Sequence, residues 1–175
     1  ALSLFLSGLK ISEVKKICSE HLQLTHPDRD LLRVSESYVK LLGGLLFTND
    51  VNDLAELIEI TALESTGKSM KKLVQGQQPD GMIVGGKFSA ACYITDSWPG
   101  VLYLALKYME DPRKALLINA NLGGDNVHRG IVLGALLGLV KPSDTIPFYD
   151  ELIENEALTR EIEIFYKSSQ SLGRD

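Results

Sequence analysis

The residues best suited to chemistry lie in one short run, Asn121-Leu122-Gly123-Gly124-Asp125-Asn126-Val127-His128-Arg129. A carboxylate that follows two glycines and precedes an apolar helical stretch stands at a helix start. There Asp125 can accept backbone amides as an N-cap, worth about 1 kcal/mol. It can equally turn outward and coordinate a hard cation such as Mg²⁺. His128 lies about one turn on and could join it. Arg129, four residues on, could instead neutralise it in a surface pair. Glycines beside the carboxylate would let a substrate oxygen approach the main chain. Spacing alone leaves the cap and the ligand both open.

Other candidates are weaker. His26, in Thr25-His26-Pro27, reads as a substrate-rim residue or as a cap or surface histidine ahead of a helix. Asp96-Ser97-Trp98 invites a nucleophile, but no partnered base accompanies Ser97, and a simple N-cap is the better reading. Trp98 and Tyr103 could stack on a base, although aromatic residues at a helix start usually belong to a core. Gly67-Lys68-Ser69 ends like a phosphate-binding loop, yet the first glycine of that motif and the preceding strand are missing, so the match is accidental.

The elements that must position these groups are helical. Ser12 predicts an N-cap, followed by Val14, Ile17, Cys18 and Leu22 at helical spacing. Asp28 or Asp30 opens a second helix with a stripe of Leu31, Val34, Tyr38, Leu41, Leu42 and Leu45. Asp50 or Asn52 caps a third, with Leu54, Leu57, Ile58 and Thr61 inward and Asp53, Glu56 and Glu59 on a solvated face. From Gln75 to Asp96 the period is lost among five glycines and prolines, which reads as a long loop, either functional or a plain surface Ω-loop.

Helices then resume. Ser97 predicts a cap with Pro99 in the first turn, and Val101, Leu102, Ala105 and Tyr108 on the buried side. Asp111-Pro112 starts the next helix, with Gly123 at its left-handed end. A further helix runs from about Asp125 to Val140, stopped by Lys141-Pro142, and one or two amphipathic helices cover Ile146 to Lys167. Gly130, Gly134 and Gly138 fall on one face, at a cost of about 0.8–1 kcal/mol each relative to alanine. Close approach of a neighbouring backbone would offset that, which predicts a helix at the centre of the bundle. No run alternates as a strand would, so the fold class is all-α.

Composition narrows the function. The chain has 175 residues with a net charge of −5 and 45% apolar residues, an ordinary globular profile read as one domain over 1–175. The acidic balance argues against a nucleic-acid partner, which would need a clustered cationic face. The longest late apolar run, Gly130 to Val140, is roughly half a bilayer span, so no membrane role is expected. Two cysteines, Cys18 and Cys92, make no disulfide framework and point to a reducing, cytoplasmic setting. The apolar start at Ala1 lacks the cationic region of a signal peptide and reads as the continuation of something longer.

The block TDSWPGVLYLALKYMEDPRKALLINANLGGDNVHRGIVLGALLG resembles the C-terminal signature of the ADP-ribosylglycohydrolase family, which includes the crystallin J1-like proteins. Leu24-Thr25-His26-Pro27, followed by the Tyr38 helix, is similar to the family's "TH" segment. The resemblance implies an orthogonal all-α bundle lacking its N-terminal half. It also implies magnesium-assisted hydrolysis of the glycosidic bond joining ADP-ribose to a protein side chain or a small acceptor, with one or two Mg²⁺ ions. Carried over by position, Asp125 would be a metal ligand, and Gly123, Gly124, Asn126, His128 and His26 would contact substrate; no catalytic residue follows.

The sequence departs from the pattern at two places. Val127 stands at the second aspartate of GGDxDT and His128 at its threonine, and the family's T-D-D-T-like cluster and GNG-type loop do not appear. The alternative is therefore a catalytically inactive relative that keeps the fold and its ligand binding. The implied partners are ADP-ribose or an ADP-ribosylated substrate, together with the protein's own N-terminal half or a second copy.

Overall fold

A computed structural model describes residues 1–48, 50–141 and 146–171. They form ten α-helices and no strand among the described residues: α1 (Leu2–Leu6), α2 (Ile11–Gln23), α3 (Arg29–Leu46), α4 (Val51–Thr66), α5 (Met70–Gln75), α6 (Asp80–Ile83), α7 (Ile94–Lys107), α8 (Pro112–Asn121), α9 (Asn126–Val140) and α10 (Asn155–Ser171). A 3₁₀ turn, Tyr149–Glu151, lies between the last two. The fold is an all-α multi-helix bundle, as the periodicity predicts.

Several starts follow from short-range chemistry. Asp28, Asp50 and Asp111 cap α3, α4 and α8 through their carboxylates, which accept the amides of Leu31, Asn52 and Lys114. Other predicted boundaries shift. Lys10, not Ser12, caps α2, where the Glu13 carboxylate reaches back to accept the Lys10 amide. Gly67 ends α4 in the left-handed region and Ser69 caps α5, so the Gly-Lys-Ser run is two helix ends meeting. Ser97 is no cap: α7 begins at Ile94, with Tyr93 extended before it and the Tyr93 carbonyl accepting the Asp96 and Ser97 amides. Pro99 therefore sits inside the helix, and the Thr95 carbonyl lacks its usual donor. Pro142 lies outside the described residues.

The bundle is organised around α7. Trp98 to Ala105 are buried without interruption, the mark of a helix covered on all sides, and α3, α4, α5, α8 and α9 pack against it. The expectation that α9 is central does not hold. Val127 and Ile131 are exposed, and its glycine face is tight at one end only. A Cβ at Gly130 would lie 3.1 Å from Asn119 Nδ2 and one at Gly134 3.9 Å from Leu116, while Gly138 faces open space. A small-residue stripe leaves room for a neighbour, and only the N-terminal part of α9 uses it.

Glu59 also departs from expectation. It is buried rather than solvated, accepting the Ser69 hydroxyl and the Lys71 amide (2.9 Å) and so fastening α5 onto α4. The last helix, α10, packs onto α1, where Ser169 is buried and its hydroxyl donates to Ser3 Oγ at 3.2 Å. No helix of the described residues is long and apolar enough to cross a membrane. Cys18 and Cys92 are both free.

Candidate functional site

The double-glycine bend is built by what lies against it. After α8 the chain turns through Gly123 (φ +65°) and Gly124 (φ +63°), a left-handed pair that a side chain would strain. At Gly124 space matters as well: a Cβ there would fall 2.1 Å from the Ala90 carbonyl oxygen. That close approach lets the Asp125 amide donate to Ala90 O at 2.9 Å. The glycine-rich stretch before α7 thus works as a backing for the bend. Its chain doubles back through a single bridge between Val84 and Phe88, with Ile83, Val84 and Phe88 buried beneath.

Asp125 occupies the N-cap position of α9 but makes no side-chain cap bond. Its carboxylate instead accepts the His128 Nδ1 proton at 2.6 Å. The Asp125 side chain is 22% exposed and that of His128 78%, so the acid is recessed and the imidazole stands at the rim.

Both line a cleft of about 500 Å³. Its floor and walls come from Tyr38 and Val34 of α3, Ser97, Trp98 and Val101 of α7, and Arg129 and Val132 of α9, with His26 and Cys92 from the connecting segments. His26, whose Nδ1 pairs with Thr25 Oγ1 at 2.8 Å, thus shares one cleft with Asp125 and His128, although about 100 residues separate them in the chain. Gly123, Gly124 and Asn126 are not among the lining residues. The Asn126 side-chain amide donates to the Ala120 carbonyl at 3.1 Å, across to α8.

The aromatic candidates are structural. Trp98 and Tyr103 are buried. The Trp98 indole N–H donates to Ser65 Oγ at 2.9 Å, and its ring meets Tyr38 edge-on at 6.1 Å. Burial pushes the Tyr38 phenol, which lines the cleft, above its ordinary value.

Two features were hidden from sequence reasoning. Arg129, read as a surface partner of Asp125, is 1% exposed. Its guanidinium turns inward, Nε donating to Asn119 Oδ1 at 2.6 Å and Nη2 to the Gly123 carbonyl at 2.9 Å. The only hint was an arginine inside an otherwise apolar helix. The second is a closed polar corner around Asp80, which accepts Lys107 Nζ (2.6 Å), Tyr103 Oη (2.8 Å) and Tyr108 Oη (2.6 Å). Burial alone would raise the Asp80 carboxyl; the bonds from Lys107, Tyr108 and Tyr103 more than reverse this and hold it below the usual range. Lys107 is correspondingly pushed up, its hydrogen bonds to Asp80 and Tyr103 outweighing desolvation.

As a metal centre the cleft is sparse. No group of three or more His, Cys, Asp or Glu side chains converges among the described residues, and Asp125 is the one carboxylate of the cleft. The helix N-terminus and Arg129 both place positive charge behind it. Asp125 fits one ligand position of a largely hydrated Mg²⁺, which commonly takes one or two carboxylates and keeps several waters. The donors of a second ion are not present among the cleft's described residues.

An all-helical bundle that bends through two left-handed glycines to present a carboxylate to a cleft is the architecture that the family comparison meets. The family model for ADP-ribosylglycohydrolase matches residues 1–171, and the chain belongs to that family. No curated protein and no solved structure matches it.

Proposed function

We propose that the cleft binds the ADP-ribosyl group of an ADP-ribosylated protein or small molecule, and that a Mg²⁺ ion bound through Asp125 assists cleavage of its glycosidic bond. The observation that carries this reading is the Asp125 carboxylate: it stands at a cap position, forgoes the cap bond, and opens into a cleft shared with His26 and His128. When bound, the ion would supply positive charge for developing anions and lower the pKa of a bound water. This chain's own residues hold and orient. Asp125 offers an oxygen ligand, His128 fixes one of its oxygens by donating from Nδ1, and His26 lines the same cleft.

Isothermal titration tests it. Mg²⁺ should bind the wild-type chain, and Asp125→Ala should lose roughly tenfold or more in affinity. Equal Mg²⁺ affinity in the two proteins would refute the assignment. A second reading, an inactive relative that binds ADP-ribose without hydrolysing it, is favoured by Val127. It faces solvent in the first turn of α9, where the family pattern has a second carboxylate. ADP-ribose binding with no release from an ADP-ribosylated peptide in Mg²⁺ would select that reading.

A further inference from the structure

We infer that Arg129 is the positioning residue of this site: its guanidinium ties the last turn of α8 to the double-glycine bend and so fixes where the Asp125 carboxylate stands. The inference rests on the reading of Asp125 as the ligand-facing group. Taking a guanidinium out of water costs several kcal/mol, yet Arg129 is buried with no carboxylate hydrogen-bonded to it among the described residues. Its partners are neutral oxygens: Asn119 Oδ1 (2.6 Å), Asn119 O (3.3 Å) and Gly123 O (2.9 Å). Such charge-assisted bonds are stronger than neutral ones, and the planar fork meets the oxygens from two separate nitrogens in a fixed geometry that a flexible ammonium does not impose.

The surrounding bonds share this direction. Asn119 Nδ2 donates to the Asn126 carbonyl at 2.8 Å, and Asn126 Nδ2 returns to Ala120 O. The end of α8 and the start of α9 are thereby stitched twice, with Arg129 in the middle. The bend itself has few anchors. A Cβ at Gly123 would meet nothing within 4 Å, and the glycines have no side chains to hold them. Ala90 O grips the Asp125 amide from one side, and Arg129 grips the Gly123 carbonyl from the other. Removing either leaves two left-handed residues free to re-form, and the carboxylate moves with them. Burial lowers the Arg129 pKa while the nearby Asp125 charge raises it again, so the two groups also sense each other electrostatically.

The test uses the full chain and its three histidines, labelled with ¹⁵N. In the wild type, His128 should show the Nδ1-protonated imidazole signature of its bond to Asp125, and Asp125→Ala should abolish it. Arg129→Lys and Arg129→Met should both abolish it too, leaving the His21 and His26 resonances and the far-ultraviolet circular dichroism in place, with Mg²⁺ affinity weaker by ~10-fold. If the Met variant does not fold, Arg129→Lys, which keeps the charge, decides. Loss of thermal stability with the His128 signature intact would mean a merely structural arginine and overturn the inference, as would a wild type without the signature. If the wild type binds no Mg²⁺, the cation reading fails, while the His128 resonance still decides the positioning role.

Discussion

Asp80 and Asp125 are both carboxylates at helix N-termini beside a tyrosine-bearing wall, and they have opposite fates. Asp80 takes three donors on its two oxygens, one of them a lysine ammonium. Asp125 takes one donor, a rim histidine, and opens onto about 500 Å³ of space. A carboxylate with three of its roughly four acceptor positions taken has little left for a ligand and contributes to the fold; one with a single donor on a rigid bend remains available. Acidity and helix position alone would have ranked the two equally. What separates them is the set of donors that tertiary structure brings to each.

The sharpest way to break the comparison is to spoil the bend that keeps Asp125 open. Gly124→Ala should destabilise the protein by about 3 kcal/mol, combining a left-handed side chain with overlap on the Ala90 carbonyl. Gly123→Ala carries the same backbone strain in open space and should cost about 1 kcal/mol. Urea denaturation of the two variants measures the difference. Equal costs would show that contact with Ala90 does not define the bend.

The Asp80 corner predicts the next largest effect. Asp80→Ala should cost about 2–3 kcal/mol, because it strands a partly buried ammonium and two tyrosine hydroxyls. Its pH dependence has a definite sign. The folded Asp80 pKa is lowered from 3.8, so its contribution is complete above that value and lost as pH falls below it. Lys107 is raised from 10.5, so its share is complete below that value and lost as pH rises beyond it. The stability gap between wild type and Asp80→Asn should therefore be flat near neutrality and shrink at both extremes. A gap that kept growing into acid would show that the corner is not an ion pair.

Legibility in the sequence follows the range of the interaction. The caps at Asp28, Asp50 and Asp111 are local, one side chain to an amide two or three residues on; the sequence reading places the third and narrows the first two to Asp28 or Asp30 and Asp50 or Asn52. The Ser97 boundary fails because a serine before a proline imitates a cap, while Tyr93, with no capping side chain, starts the helix. Glu59 reads as solvated because its partners, Ser69 and Lys71, belong to a different helix. The centre of the bundle is misread because glycines at every fourth position show that a neighbour would fit, not that one is there. The unbroken apolar run from Trp98 to Ala105 carried the better signal. At the site, Asp125, His128 and His26 each stand out by type or motif, but their common cleft depends on how α3, α7 and α9 pack. The inward turn of Arg129 depends on Asn119, ten residues earlier on another helix, and no spacing rule distinguishes it from a surface arginine.

The smallest expected effect bears most directly on function. Asp125→Ala removes a carboxylate that makes no cap bond and one pair with a largely exposed histidine, so its cost in stability should stay within about 0.5 kcal/mol. The backbone anchors of the bend, the Asp125 amide on Ala90 O and Arg129 on Gly123 O, do not involve the deleted atoms and should persist. Thermal unfolding beside ADP-ribose titration gives both quantities from one preparation. Near-wild-type stability with weakened ligand binding places Asp125 opposite Asp80, as a group held for use. A loss of 2 kcal/mol or more, on the order of that expected for a broken buried network, would make the two carboxylates alike and remove the ground for treating this end of the bundle as a site.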